Sequence, residues 1–274
     1  MSMLRFTLES TSRFAFVDDQ SSDGTRAMLL DQDDVDLYES ATDFRGSAGG
    51  LLWRDRLVDI YGRNRWYVSI DADEYLVFPG SEHRKLVDFI DDLARHDLKR
   101  SLAVMLDMYP DGAIGAAEAT ASPESFPTAI SPLHDGTDYQ IANEKFCTAV
   151  RGGPRRRRFG VDMRLTKFPV LFADSKTSFA SGSHHGPLPI RRNFSPVHAV
   201  LLHFKFPPGA VEEFHAVAKR GTHFGGSLYY RQIVEHADFG GQTDFRYPGT
   251  RRYRDSQELV VRGFMRDLQV ASDA

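Results

Sequence analysis

Three apolar stretches of the chain end in carboxylates. Trp66-Tyr-Val-Ser-Ile70 runs into Asp71-Ala-Asp73-Glu74, Arg13-Phe-Ala-Phe-Val17 into Asp18-Asp19, and Leu102-Ala-Val-Met-Leu106 into Asp107. Clustered carboxylates repel one another unless a cation or hydrogen-bond donors compensate them. Hard divalent ions such as Mg²⁺ or Mn²⁺ take carboxylate oxygens and bridge to substrate phosphates. Asp71 and Asp73 could therefore serve one ion carrying a diphosphate; a solvated turn after a strand has the same triplet. The turn Asp18-Asp-Gln-Ser21-Ser-Asp23-Gly-Thr25 could meet a nucleotide, because a carboxylate accepts from a uracil N–H or a ribose hydroxyl. It would equally serve as an Asp-rich turn capping a helix.

Those acids need elements to hold them. Arg13–Val17, Trp66–Ile70 and Leu102–Leu106 read as buried strands. Helices are expected from Thr25 to Leu30, from Leu51 to Tyr61 with Leu52, Trp53, Leu57, Ile60 and Tyr61 as its apolar stripe, and after Ser81 with Leu86, Phe89, Ile90 and Leu93 on its core face. Short strands alternating with amphipathic helices argue an α/β fold with a mainly parallel sheet, in which ligands bind beyond the carboxyl ends of the strands. Downstream, Val197 to Phe206 reads as a strand and Ala210 to Arg220 as a helix stopped by Gly221. A last helix is expected to carry Leu259, Val260, Phe264 and Leu268. Arg151-Gly-Gly-Pro-Arg155-Arg-Arg-Arg158 reads as a loop. Trp53, Trp66 and Tyr67 fit the core, or a platform for a sugar or base.

The whole chain bounds these readings. Its 274 residues allow one large domain or two small ones. With 41% hydrophobic and 26% charged residues it is neither a disordered chain nor a coiled coil. A single cysteine excludes an intramolecular disulfide and a four-cysteine zinc site. A net charge of −4 gives no general attraction to nucleic acid. There is neither a leader-like start nor a run approaching the ~18 apolar residues of a membrane span, so a cytoplasmic protein without a transmembrane segment is expected.

The two motifs, in this order on consecutive units, resemble the family 2 type of nucleotide-sugar glycosyltransferase with the GT-A fold. There an apolar strand leads into Asp-Asp-x-Ser-x-Asp-Gly-Thr, then a helix, then a strand ending in Asp-x-Asp. The wording Trp66-Tyr-Val-Ser-Ile-Asp-Ala-Asp-Glu-Tyr-Leu-Val-Phe78 is similar to a bacterial subgroup related to family 92, as are Lys167-Phe-Pro169, Gly182-Ser-His184 and His203-Phe-Lys205. The resemblance runs from about Phe14 to Phe206, and more loosely to Leu268. It implies a single GT-A-like domain over 1–274, with a nucleotide- and metal-binding half at 1–110 and an acceptor-side half at 111–274.

The resemblance also implies roles. Asp18 and Asp19, with Ser21 and Asp23 in the same turn, would contact the nucleotide. Asp71 and Asp73 would hold Mn²⁺ or Mg²⁺ and, through it, the diphosphate of a UDP-sugar donor. His203, or else His184, would complete the metal shell. Transfer with inversion to a glycan or glycoconjugate needs a carboxylate base; Asp107 is the first candidate, Glu74 and Asp138 the weaker ones. Read from its residues alone, Arg155–Arg158 is a solvated loop, or else a clamp on the donor diphosphate, a contact with a phosphate-bearing acceptor, or a peripheral contact with a membrane. Members of the family carry a strand and helix before the first acidic turn, whereas the residues ahead of Phe14 leave room for a strand at Leu4–Leu8 and no helix. An inactive nucleotide-binding relic is one alternative on that ground. A metal-dependent phosphohydrolase or nucleotidyltransferase is the other.

Overall fold

The computed structural model describes residues 13–116, 127–183 and 186–270. The stretch Leu4–Leu8 and the candidate ligand His184 lie outside the described residues. β1 (Phe14–Asp18), α1 (Thr25–Leu30) and β2 (Val35–Glu39) form a small parallel unit, with Phe14 opposite Val35 and Asp18 opposite Glu39. Its two strands make a sheet of their own. Then come α2 (Leu51–Tyr61), β3 (Arg65–Val68), β4 (Glu74–Val77), α3 (Leu86–Arg95), β5 (Arg100–Tyr109) and β6 (Leu133–Asp135). β7 (Gln140–Asn143), β8 (Thr148–Arg151), α4 (Gly153–Phe159), β9 (Thr166–Ala173), β10 (Ser178–Ser183) and β11 (Gly186–Leu188) follow. β12 (Val197–His203), α5 (Ala210–Arg220), α6 (Phe224–Val234), β13 (Thr250–Arg252) and α7 (Ser256–Val261) complete the order.

The α/β class holds, but the large sheet is mixed. Its seven strands centre on β5, all ten residues of which are buried. β12 runs parallel to β5, while β9, β6 and β4 enter antiparallel to their neighbours. Among the described residues β5–β12 is the one parallel pair in that sheet, so the expectation of a mainly parallel sheet is corrected. The reason is insertion. β9 comes from far along the chain and separates β3 from β5, and β12 separates β4 from β5. The strands β3, β5 and β12 still point the same way, so Asp71, Asp107 and His203 are carried to one edge.

Two apolar cores fix this frame. One joins β4, β5, β9 and β12 to Leu86, Phe89 and Leu93 of α3 and to Leu259, Phe264 and Leu268 near the end of the chain. The other gathers Tyr109, Phe159, Phe206, Phe214, Ile233 and Phe245 around α4, α5 and α6. Three local expectations need correcting. Leu52 and Ile60 of α2 are exposed, and Val58 is the residue that helix buries. α3 begins at Leu86, where the Lys85 amide donates to Asp88, rather than after Ser81. α7 stops before Gly263, whose φ of 77° ends it, so Phe264 and Leu268 pack from beyond the helix.

Candidate active site

The turn between β3 and β4 carries both aspartates of the Asp-x-Asp triplet. Asp71 points to cations on two other elements. Arg54 of α2 donates to its Oδ1 at 2.8 Å, and Lys167 of β9 to its Oδ2 at 2.5 Å. Lys167 also reaches Glu74 Oε1 at 2.5 Å, and the Asp71 amide donates to Glu74 Oε2 at 3.0 Å. Burial would raise the Asp71 carboxyl, but Lys167 and Arg54 bring it down to about 2. A local defect lies beside Lys167 in the sheet. Between Ser101 and Ala103 of β5 the pairing with β9 slips at Pro169, which has no amide proton for the ladder. Such bulges re-aim side chains at active sites.

Asp73 lies on the other side of the turn. Its Oδ2 is 3.3 Å from His203 Nε2 and 3.5 Å from Lys205 Nζ, and its backbone carbonyl accepts from the Phe204 amide at 2.8 Å. Burial is the largest influence on this carboxyl and raises it; His203 and Lys205 more than reverse that and hold it well below the usual range. Its side chain keeps 40% exposure and that of Asp71 45%, so both face an opening.

Behind this row sits Asp107, opposite His203 in the β5–β12 register and 1% exposed. His203 Nδ1 lies 2.6 Å from Asp107 Oδ1. Arg155 of α4 donates to the same carboxylate twice, at 2.7 and 2.8 Å. Burial pushes Asp107 up, and Arg155 and His203 pull it down to about 2. Burial alone would lower the His203 imidazole, but Asp73 and Asp107 raise it above its ordinary value.

The first acidic turn is organised differently. Asp18 is buried and accepts from the Ser21 amide at 3.1 Å, and Arg26 lies 3.6 Å away. The Ser21 contacts hold its carboxyl below the usual range. Asp23 is exposed and accepts from the Thr25 amide at 3.1 Å at the start of α1. Asp18, Ser21 and Asp23 thus bond within their own turn and its helix. Asp19 reaches out: its Oδ2 accepts from the Phe44 amide at 3.2 Å. From Phe44 a row of rings leads to the other acids. The Phe44 and His223 rings are 5.3 Å apart, those of His223 and Tyr230 5.2 Å, and Lys205 Nζ sits 5.1 Å from the Tyr230 ring, beside Asp73.

Arg54, Phe44, Lys205, His223 and Tyr230 were not among the residues singled out for a role at this site. Lys205 had a signal in the His203-Phe-Lys205 string; the others lie in segments with no motif. Asp138 is exposed and accepts from the Thr137 hydroxyl. Trp66 packs on the main core and Tyr67 on the small core near α2, whereas Trp53 bonds to Ser40 and tilts against Phe44 at 6.2 Å.

The arginine run is a helix, α4, and not a loop. Each of its guanidinium groups has a carboxylate within the chain: Arg155 has Asp107, Arg156 has Asp162, Arg157 has Asp135 and Arg158 has Asp238. Their charge is largely taken up internally, which weakens the case for a membrane contact through them. No helix among the described residues is long and apolar enough to cross a membrane.

Among the described residues, no three His, Cys, Asp or Glu side chains converge as a complete metal-holding set. One pair has a spacing near that of two adjacent ligands on one ion, which is also the spacing of a histidine–carboxylate ion pair. Adjacent oxygen and nitrogen ligands of one ion stand about 3 Å apart, given bonds of about 2.1 Å. Asp73 Oδ2 and His203 Nε2 are 3.3 Å apart on the open side. Asp71 is turned to Arg54 and Lys167 instead. Comparison with protein-family models, with curated proteins and with solved structures gives no match.

Proposed function

We propose that the chain is a metal-dependent glycosyltransferase that takes a nucleotide-sugar, with UDP as the leaving nucleotide, and passes the sugar to a saccharide or glycoconjugate. The observation that carries this reading is the junction of the two acidic motifs. The Asp19–Phe44–His223–Tyr230–Lys205 row runs from a nucleotide-type turn to the Asp73–His203 pair. The strand-end placement of Asp71, Asp107 and His203 supports a GT-A-like arrangement.

In this reading Asp73 and His203 would hold Mn²⁺ or Mg²⁺, with phosphate oxygens and water completing the shell. When bound, the ion supplies Lewis-acid stabilisation of the departing diphosphate. Lys205 and Lys167 flank the same opening and bring positive charge to where the leaving group gains negative charge. Lys167 also keeps Asp71 and Glu74 from repelling a diphosphate. Asp19 and the Phe44 ring offer a hydrogen-bond acceptor and an apolar face for the nucleoside. Asp107 and Glu74 are almost wholly buried and each is held by a cation, which suits them to fixing neighbours rather than to receiving a proton from an acceptor. Inversion is part of the proposal and is read from the anomeric configuration of the product.

Calorimetric titration with UDP in the presence and absence of Mn²⁺ tests the reading. Binding heat that grows with Mn²⁺ and falls at least ten-fold in affinity in Asp73→Asn is expected. No heat above the blank across several nucleotides overturns it. Release of nucleoside monophosphate or inorganic phosphate, rather than the diphosphate, would move the assignment to a phosphohydrolase or nucleotidyltransferase.

A further inference from the structure

A charged pair is almost fully buried directly behind the reacting face. Arg155 and Asp107 have side chains only 7% and 1% exposed, and they meet through two parallel hydrogen bonds. Burying such a pair costs desolvation that its attraction roughly repays, so stability alone gives little reason for it. What it does have is a third member. Asp107 Oδ1 accepts from Arg155 and also faces His203 Nδ1 at 2.6 Å. An ionised carboxylate can only accept, so the proton on that contact belongs to Nδ1. The imidazole is then fixed in rotation, and Nε2 is the nitrogen turned to Asp73, 3.3 Å away.

We propose that Asp107 and Arg155 are a positioning pair for His203, holding the proton at Nδ1 and committing Nε2 to the site. The backbone is built for this. β5 and β12 run parallel in a register that places Asp107 beside His203. α4 starts at Gly152-Gly153 with φ of 144° and 77°, and a Cβ on Gly152 would meet the Asp138 carbonyl oxygen at 2.9 Å and Tyr139 Cα at 3.1 Å. That close approach lets the first turn of α4 deliver Arg155 to Asp107. A carboxylate behind an imidazole is the general device that orients a histidine ligand, and its loss typically weakens ion affinity about 10–100-fold. The inference rests on the functional reading only for what Nε2 faces; the position of the proton stands apart from it.

The test is nitrogen-15 NMR of histidine-labelled full-length protein, with the His203 signals assigned by their loss in His203→Gln. The unmodified protein is expected to show a protonated Nδ1 that exchanges slowly with water. The paired variant Asp107→Asn with Arg155→Met removes both charges together and so avoids an orphaned buried ion. It should lose or redistribute that Nδ1 proton while the backbone amide spectrum of β5 and β12 is retained. Arg155→Lys, which keeps the charge and loses the two-point grip, should accelerate the exchange without moving the proton, and it decides the matter if the paired variant does not fold. An unchanged Nδ1 signal in the paired variant, or an unchanged exchange rate in Arg155→Lys where the paired variant does not fold, overturns the proposal. Mn²⁺ affinity, followed by electron paramagnetic resonance on the same samples, separates the two levels. No Mn²⁺ binding by the unmodified protein would sink the functional reading while the NMR result still judges the positioning pair.

Discussion

Two histidines on one strand show how neighbours decide what a residue can do. His203, at the end of β12, is surrounded by Asp73 and Asp107 and is raised. His198, five positions earlier, is 2% exposed, with its Nδ1 buried and without a hydrogen-bond partner. Burial, aided by Arg266 and His96, lowers it to about 4 from 6.5. Its neutral form is the folded one, so the unfolded chain binds more protons between those two values and stability rises with pH across that window. His198 should therefore contribute a fall of about 3 kcal/mol in unfolding free energy as pH drops from about 6.5 to about 4. His134 and His223, also lowered by burial, add to this with the same sign, and His203 opposes it. Asp71 and Asp107, held near 2, contribute losses only at lower pH. Urea denaturation at half-unit pH steps measures the slope, and His198→Leu should flatten it. An identical slope in that variant would mean that His198 is not the group responsible.

At the scale of elements, α4 shows why part of the site was legible in the chain and part was not. Apolar runs followed by acids mark strand ends only approximately: β3 stops at Val68, ahead of Asp71 and Asp73, β5 runs two residues past Asp107, and β12 ends at His203 instead of continuing to Phe206. The segment Gly152-Gly-Pro-Arg-Arg-Arg-Arg158 reads as a loop because Gly and Pro are punctuation. Yet the first turn of a helix tolerates proline, and arginine is a good helix former. Which carboxylates would receive those arginines depends on Asp107, Asp135, Asp162 and Asp238, scattered over the chain and joined only by folding. Strand direction was hidden for the same reason, since β9 and β12 insert from a distance. Gly152→Ala tests the start of α4. Strain at the positive φ and contact with the Asp138–Tyr139 backbone should cost about 1–3 kcal/mol, whereas a Cβ at Gly112, with φ of 145°, has nothing within 4 Å and should cost less. Guanidinium chloride denaturation of the two variants decides it. Equal losses would show that the close approach at Gly152 carries no special weight.

At the scale of the whole molecule, the two halves of the proposed site rest on different foundations. Asp107 and His203 stand on β5 and β12 of the large sheet, against the main apolar core, and Asp73 in the turn that leads into β4. β1, α1 and β2 form a separate two-stranded unit, and no residue before Leu51 belongs to any of the apolar clusters among the described residues. Segments with few buried apolar contacts open at low free energy. Native-state hydrogen exchange should find the amides of β1 and β2 exchanging well ahead of those of β5 and β12, and UDP with Mn²⁺ should slow the first group selectively. Equal protection in both groups would contradict the separation.

The two-stranded unit has a consequence for how this chain can change. Residues that would grip a nucleoside are carried by a small two-stranded unit, while those that would handle a departing diphosphate are carried by the large sheet and the turn beside it. Substitutions in that unit leave the three apolar clusters untouched, provided Tyr38 and Phe44, which meet Tyr61, Trp53 and His223, are kept. A laboratory library confined to 14–50 could therefore retarget which base is accepted at little cost to folding, whereas the same number of changes spread over β5 and β12 would mostly yield insoluble protein.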